Sequence, residues 1–356
     1  MKYLIVQNWN STKGNHAGMV HMCNLLCANW PEQYKMLKIE EPRYRGGRNS
    51  FIKKINKLIN FFIKKFIFPA FILRQGKTFL GQLKKGDEVF LLEYLIPEVN
   101  QYVVAKFITR HYKDISIYAL SHMTPTFMHQ NNMTDELIRK WASPVDKMLT
   151  LGHSLSDYFI QIGIPSTKIS TGFHYVDNQY YMRSSKSIMQ LSKPFTIIIM
   201  GAMMRDDELV SNIVKEVNGV KWIVCFGRRK IPESFPRGKN IKLLGYLPED
   251  DLKSYMEEAD ASLSIMKDTI GSNVITTSFA MGLINIVSDV GSIRDYCSEK
   301  DSAICANNSN SFITTINKLK DNPLLVKEMK QNAQKKAASF SIMNVHRWFS
   351  NLKNND

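Results

Sequence analysis

Short, wholly apolar runs alternate with longer stretches of helical periodicity along most of the chain. This is the pattern of strand–helix units built around parallel sheets. Residues 3–6 predict an opening strand, residues 8–18 a polar, glycine-bearing loop, and residues 19–30 a helix. Further strands are predicted at 88–92, 115–120 and 147–151, the last followed by a helix at 154–162. The pattern then restarts. A stretch rich in Ser and Met at 182–192 precedes Phe195-Thr196-Ile197-Ile198-Ile199-Met200, a continuous apolar run suited to a strand buried on both faces. Strands at 221–226, 241–244, 261–265, 285–288 and 302–305 follow, and residues 322–352 read as helices with a polar tail. The expected class is α/β with two domains. Residues 1–182 form the first, with a basic amphipathic segment at 43–77. Residues 183–335 form the second, and 336–356 a closing helix that can return to the first.

With 44% hydrophobic and 22% charged residues, the composition is globular and argues against bulk disorder or a fibrous repeat. Charge changes the picture. Lys and Arg number 47 against 32 acids, for a net +15, and residues 42–86 hold twelve basic residues and no acid. One segment therefore carries most of the excess. Five cysteines (Cys23, Cys27, Cys225, Cys297, Cys305) form no dense framework, and the odd count points to a reducing, intracellular setting. The N-terminus turns polar after five residues, too soon for a signal-peptide core. The apolar run 66–73 contains a proline and is too short to span a bilayer. A soluble or membrane-peripheral protein is expected. There is no CxxC pair, HExxH or calcium-type acidic loop, so no metal site is expected.

Within the basic segment, Phe51, Ile55, Leu58, Phe62 and Phe66 recur at helical spacing, while Lys53, Lys57, Asn60 and Lys64 define another face. Such a helix suits an anionic membrane surface, with Lys53, Lys54, Lys57, Lys64 and Lys65 as the contacts. The alternative is an ordinary domain helix with its apolar face in the core and its lysines in water. Nucleic acid ranks last, since no reader motif accompanies the charge.

The motif order in the second half is more specific. Residues 260–266 (DASLSIM) lead into 268–274 (DTIGSNV), a helix follows with Ala280-Met281-Gly282, and then comes 286–295 (IVSDVGSIRD). This resembles the signature region of retaining GT-B glycosyltransferases of the family 4 type. Residues 240–247 with the helix at 254–259 resemble that family's strand–turn–helix unit. Residues 145–177 resemble its interdomain junction. The resemblance implies a GT-B fold, two Rossmann-like domains facing across a cleft, with the acceptor on the N-terminal side and the nucleotide sugar on the C-terminal domain. It implies sugar transfer from a nucleotide-diphosphate donor to a lipid-linked or polysaccharide acceptor at the cytosolic membrane face. The donor would be a co-substrate with no cofactor beside it, and the enzyme cytoplasmic and peripheral. Two alternatives stay open: a non-catalytic GT-B protein binding a partner or glycan, and a GT-B sugar-nucleotide epimerase.

The resemblance also assigns residues. Charge on the leaving diphosphate would be met without a dedicated metal by a helix N-terminus, backbone N–H groups and Arg or Lys. Gly271, Ser272, Asn273 and Val274 stand where a loop enters a helix, although they would equally make an ordinary cap. Gly18, in the run Gly14-Asn15-His16-Ala17-Gly18, belongs to the matching loop of the first domain, or to a tight turn. Arg205 and Arg229, with Arg228 beside it, are candidates for the pyrophosphate, surface charge being the alternative. His122, just past the strand at 115–120, takes the place near the reacting sugar. Otherwise it is a structural histidine, and His174, His16 and His21 are weaker candidates. Aligning on Gly282 puts Thr269 and Thr277 where the family has two glutamates. Thr277 would face the donor with a weaker acceptor than a carboxylate.

Overall fold

The structure, a computed structural model, describes residues 1–9, 14–41, 46, 49–201 and 203–353. Parts of the expected loop at 8–18 and of the basic segment at 43–77 lie outside the described residues, as does the end of the polar tail. The chain divides into two compact units: Met1–Gly172 with the described residues of Asn351–Asp356, and Phe173–Ser350.

In the first unit, β1 (Lys2–Asn8), β2 (Tyr34–Glu40), β3 (Glu88–Leu91), β4 (Ser116–Leu120), β5 (Lys147–Thr150) and β6 (Ile169–Thr171) form one sheet. Its order is β2-β1-β3-β4-β5-β6, and every pair is parallel. Leu4, Ile5, Val6, Phe90 and Leu91 are fully buried in its centre, as continuous apolar runs require in a sheet covered on both faces. The second unit repeats the plan with β7 (Phe195–Ile199), β8 (Val220–Cys225), β9 (Ile241–Leu244), β10 (Ala261–Ser264), β11 (Ile284–Ser288) and β12 (Ser302–Cys305). Its order is β12-β11-β10-β7-β8-β9, again all parallel. In each sheet the strand order reverses beside the first strand, at β1/β3 and at β7/β10. Such a reversal opens a crevice at the carboxyl ends of the strands.

The sequence pattern places the division near 182–194, whereas compactness places it at Gly172/Phe173. Strand β6 is the last element of the first sheet. Just beyond it, the Val176 N–H donates to the Phe340 carbonyl of the second unit. The closing helix Ile342–Ser350 also belongs to the second unit.

The basic segment forms a helix at Ser50–Phe62, a π-helical turn at Ile63–Ile67 and a second helix at Phe68–Leu80. Pro69 explains the wide turn: it has no N–H to donate, and its ring crowds the carbonyl four residues back. From Phe68 onward the helix packs inward, with Phe68, Pro69, Ile72, Gly76 and Leu80 buried. Before it, the apolar face is bare. Phe51 is 69% exposed, Leu58 59% and Ile67 60%, and Ile55, Phe62 and Phe66 are exposed with them. An ordinary core-facing helix is therefore not what residues 51–67 form.

Candidate functional site

At the first unit's switch point, Glu93 follows β3 and His122 follows β4. The ladder runs past the strand ends: the Leu92 N–H donates to Ile5 and the Tyr94 N–H to Leu120, at 3.1 and 3.0 Å. The Gln101 amide oxygen accepts the Glu93 backbone N–H at 3.0 Å, which fixes the strand end that carries the carboxyl. The Glu93 side chain is only 3% exposed and its Oε2 lies 3.3 Å from His122 Nε2. The Trp9 indole donates a hydrogen bond to the same carboxyl. Burial pushes the Glu93 carboxyl up to about 8, against that hydrogen bond, and pushes His122 down to about 4. At neutral pH the pair is thus uncharged, with its proton on Glu93. Glu93 is the functional candidate that sequence reading missed.

This pair has a consequence for stability. Glu93 keeps its proton in the folded chain where the unfolded chain loses it near 4.5, so ionising it opposes folding between pH 4.5 and 8. His122 acts in the opposite sense between pH 4 and 6.5, because there the unfolded chain binds the proton. The two slopes cancel up to about pH 6.5, and the loss appears from 6.5 to 8, on the order of 2 kcal/mol. Denaturant titrations should show the parent losing that stability relative to Glu93→Gln across this window. Parallel curves for the two proteins would show that burial does not raise this carboxyl.

Gly18 caps the helix Met19–Asn29 with its backbone alone, and its N–H donates to the Asn15 carbonyl at 3.1 Å. The left-handed turn of this loop falls on Gly14, at φ 86°. The His16 and His21 rings lie against each other, centroids 4.4 Å apart and tilted by 50°.

In the second unit, the loop 268–272 follows β10 and opens the helix Asn273–Ala280 beside the switch point. Gly271 has φ 92°, and a Cβ there would lie 2.2 Å from the Tyr296 ring. The Thr269 hydroxyl accepts the Gly271 N–H at 3.0 Å, and the Ser272 hydroxyl accepts that of Val274 at 3.0 Å. Among the described residues, the amides of Ser272 and Asn273 have no protein partner, so they remain the helix's donors for an anion. The Asn273 side chain is held by His174, Oδ1 to Nδ1 at 2.8 Å, and the His174 N–H donates to the Tyr296 hydroxyl at 2.9 Å. His174 thus braces the loop from beneath. Thr277 is buried, and its hydroxyl donates back to the helix carbonyls of Asn273 and Val274 at 2.7 and 3.2 Å.

The two arginines differ. Arg205 is a buried pin: Nε donates to Asp207 at 2.7 Å, and Nη1 to the carbonyls of Gly201 and Cys225 at 2.9 and 3.0 Å. It ties the loop after β7 to the end of β8, and leaves only Nη2 without a partner. Arg229 is 36% exposed and is oriented by Asp207, Nη1 to Oδ2 at 2.6 Å. Asp207, whose burial alone would raise its pKa, is held below the usual carboxylate range by hydrogen bonds from Arg229 and Arg205. Of the two, Arg229 is the more exposed. Arg228 lies over the Tyr246 ring at 4.6 Å.

The structure brings Gly271, Ser272, Asn273, Val274 and Thr277 onto one loop and helix, and pairs Arg205 with Arg229 through Asp207. Lys53, Lys54, Lys57, Lys64 and Lys65 line the exposed helix of the first unit, with Lys65 over the Phe61 and Phe66 rings at 5.3 and 5.6 Å. Among the described residues no helix is long and apolar enough to cross a membrane.

No curated protein matches the chain in sequence. Several solved structures match its fold. HepE from Anabaena, in complex with UDP and glucose, aligns over 100% of both chains with a TM-score of 0.71 and 12% identity. Sucrose-phosphate synthase from Thermosynechococcus elongatus aligns over 100% of this chain and 99% of its own, with a TM-score of 0.73 and 10% identity. A glycosyltransferase from Rickettsia africae covers 99% and 98% at a TM-score of 0.62 and 12% identity. The fold is that of the GT-B glycosyltransferases. Residues 194–322 match the family model of glycosyl transferases group 1, so the second unit carries a domain of that type within a GT-B fold.

Proposed function

We propose that the protein is a glycosyltransferase that moves a sugar, with retention, from a nucleotide-diphosphate donor to a lipid-linked or polysaccharide acceptor. The observation that carries this reading is the Gly271–Asn273 loop. It opens a helix at the second unit's switch point, inside the span that matches glycosyl transferases group 1. The amides of Ser272 and Asn273 and the guanidinium of Arg229 would meet the charge developing on the leaving diphosphate, with no dedicated metal or cofactor. His122 is the group that acts on the sugar. The bound UDP of HepE supports a uridine nucleotide as the first donor class to test. The exposed aromatic face and lysines of residues 50–67 support peripheral attachment to an anionic, cytosolic membrane surface. A second reading, binding without turnover, is favoured by Thr277: its hydroxyl is turned to its own helix, where the family offers a carboxylate.

A thermal-shift screen of nucleoside diphosphates tests the donor site. A binder at one hundred times its Kd adds about 2.7 kcal/mol to the folded state, a clear rise in midpoint. Asn273→Asp should weaken diphosphate binding roughly tenfold at low salt, because it sets a carboxylate beside the phosphates. Asn273→Ala removes the His174 contact without adding charge and should lose less. Equal affinity for Asn273→Asp and the parent would remove the loop from the site.

A further inference from the structure

Resting on the reading of residues 50–67 as the membrane-attachment segment, we infer that the π-helical turn Ile63–Ile67 aims that segment's aromatic stripe at the lipid. An α-helix returns to within about 20° of the same side every seven residues. Ile55, Phe62, Pro69 and Gly76 are spaced by seven, so an unbroken α-helix would carry all four on roughly one side. The structure exposes Ile55 and Phe62 and buries Pro69 and Gly76. Leu58 and Ile72, fourteen apart, divide in the same way. The register therefore shifts between Phe62 and Pro69, where the π-helical turn lies.

The backbone hydrogen bonding shows the cause. The Phe68 N–H donates to the Ile63 carbonyl, five residues back, so the turn holds one residue more than an α-turn. One residue is worth about 100° of rotation. The inward line thus runs from the half-buried Asn56, Ile59, Asn60 and Ile63 to the buried Phe68 and Ile72. On that side the second helix packs on the helix Tyr102–His111, where a Cβ at Gly76 would stand 3.5 Å from the Val104 methyls. Phe51, Ile55, Leu58, Phe62 and Phe66 are left bare on the other. The half-buried side of the first helix mixes two asparagines with two isoleucines, and Asn56 donates to the Gly46 carbonyl at 2.8 Å. Its exposed stripe is wholly apolar. In α register that stripe would have continued the buried face.

Charge selects the occupant. Lys53, Lys54, Lys57, Lys64 and Lys65 are exposed around the stripe, and residues 42–86 contain no acid to offset them. Two copies laid stripe to stripe would set these lysines against each other. An anionic lipid surface attracts them, while its acyl boundary takes the aromatic rings.

The test moves the register and leaves the charge alone. One alanine inserted after Phe62 turns the stripe by about 100°, back toward the buried side. It should lower partition of the full-length protein onto vesicles of equal parts phosphatidylglycerol and phosphatidylcholine at least roughly tenfold. Deleting Ile63 takes out the extra residue, so the stripe stays outward and partition should remain within about threefold of the parent. In a plain α-helix the two changes would be equally disruptive. A tryptophan placed by Leu58→Trp should be quenched by brominated lipid, and one placed by Asn60→Trp should not. Equal partition of the insertion variant and the parent, or equal quenching at both positions, overturns the role of the π-turn and leaves the attachment standing. Loss of partition on deleting Ile63 overturns it too, and that variant decides should the insertion fail to fold. A dimer that forms without lipid and that the insertion dissolves would give the stripe to a second copy, against the inference. A parent that does not bind the vesicles would remove the attachment reading and the role of the π-turn together.

Discussion

Gly271→Ala is expected to lower the unfolding midpoint of the second unit by about 10 °C and to abolish nucleoside-diphosphate binding. Two effects combine. The residue sits at φ 92°, where an L side chain is strained, at a cost of about 1 kcal/mol. The new Cβ would also lie 2.2 Å from the Tyr296 ring, so the ring or the loop must shift. That ring is buried, stacks on Phe340 at 5.4 Å and accepts the His174 N–H through its hydroxyl. Overpacking of this kind adds about 1–3 kcal/mol, and each kcal/mol is worth about 2–4 °C in a unit of this size. Gly227→Ala separates the two contributions. Its φ is also positive, at 59°, but a Cβ there meets nothing within 4 Å. It should show the conformational part alone, a shift of a few degrees, and keep the diphosphate site. Calorimetric scans of both variants check this. Similar midpoints would mean that the Tyr296 ring yields and that the loop is softer than its packing implies.

Replacing Lys53, Lys54, Lys57, Lys64 and Lys65 together with Gln should abolish sedimentation with anionic vesicles. Each lysine near such a surface contributes about 1 kcal/mol, so five amount to more than a thousandfold in partition. The apolar residues of the same helix, Phe51, Leu58 and Ile67 among them, stay exposed and intact in the variant. Were the attachment hydrophobic alone, the variant would instead still sediment, with neutral and anionic vesicles alike. Raising salt to physiological strength should weaken the parent, as screening shortens to about 8 Å. Nucleotide binding should be unchanged, because the proposed donor loop belongs to the other unit. A parent indifferent to lipid charge and salt would refute the membrane assignment.

The central strands were legible because each is a continuous apolar run, and β7, Phe195–Ile199, is the clearest of them. Strands β2 and β6 were not. Tyr34–Glu40 carries two lysines and two ends of mixed burial at a sheet edge, and Ile169–Thr171 is three half-buried residues. Neither has a period that composition can reveal. The helix expected at 254–259 begins at Glu249, where Pro248 and three acids suit a helix start. The motif order located the loop that opens the helix Asn273–Ala280, because glycine, Ser and Asn must fall at fixed places for a backbone to turn into a helix. The buried carboxyl of Glu93 was invisible for a different reason. In the run Glu88–Tyr94 it reads as a strand end meeting water, and the groups its carboxyl meets, Trp9 and His122, are both remote in sequence. The burial of Arg205 was hidden in the same way: only the fold shows that Asp207 and two carbonyls hold it inside.

The central claim is turnover of a nucleotide sugar, and following the donor by proton NMR tests it most directly. The protein, with anionic vesicles present, is incubated with UDP-glucose and a panel of other nucleotide-diphosphate sugars. At least one donor should disappear with release of its nucleoside diphosphate, by transfer or by hydrolysis. His122→Ala should slow that release at least roughly tenfold, about 1.4 kcal/mol of transition-state stabilisation. A donor that binds and stays intact, or that returns as its epimer, would contradict glycosyl transfer.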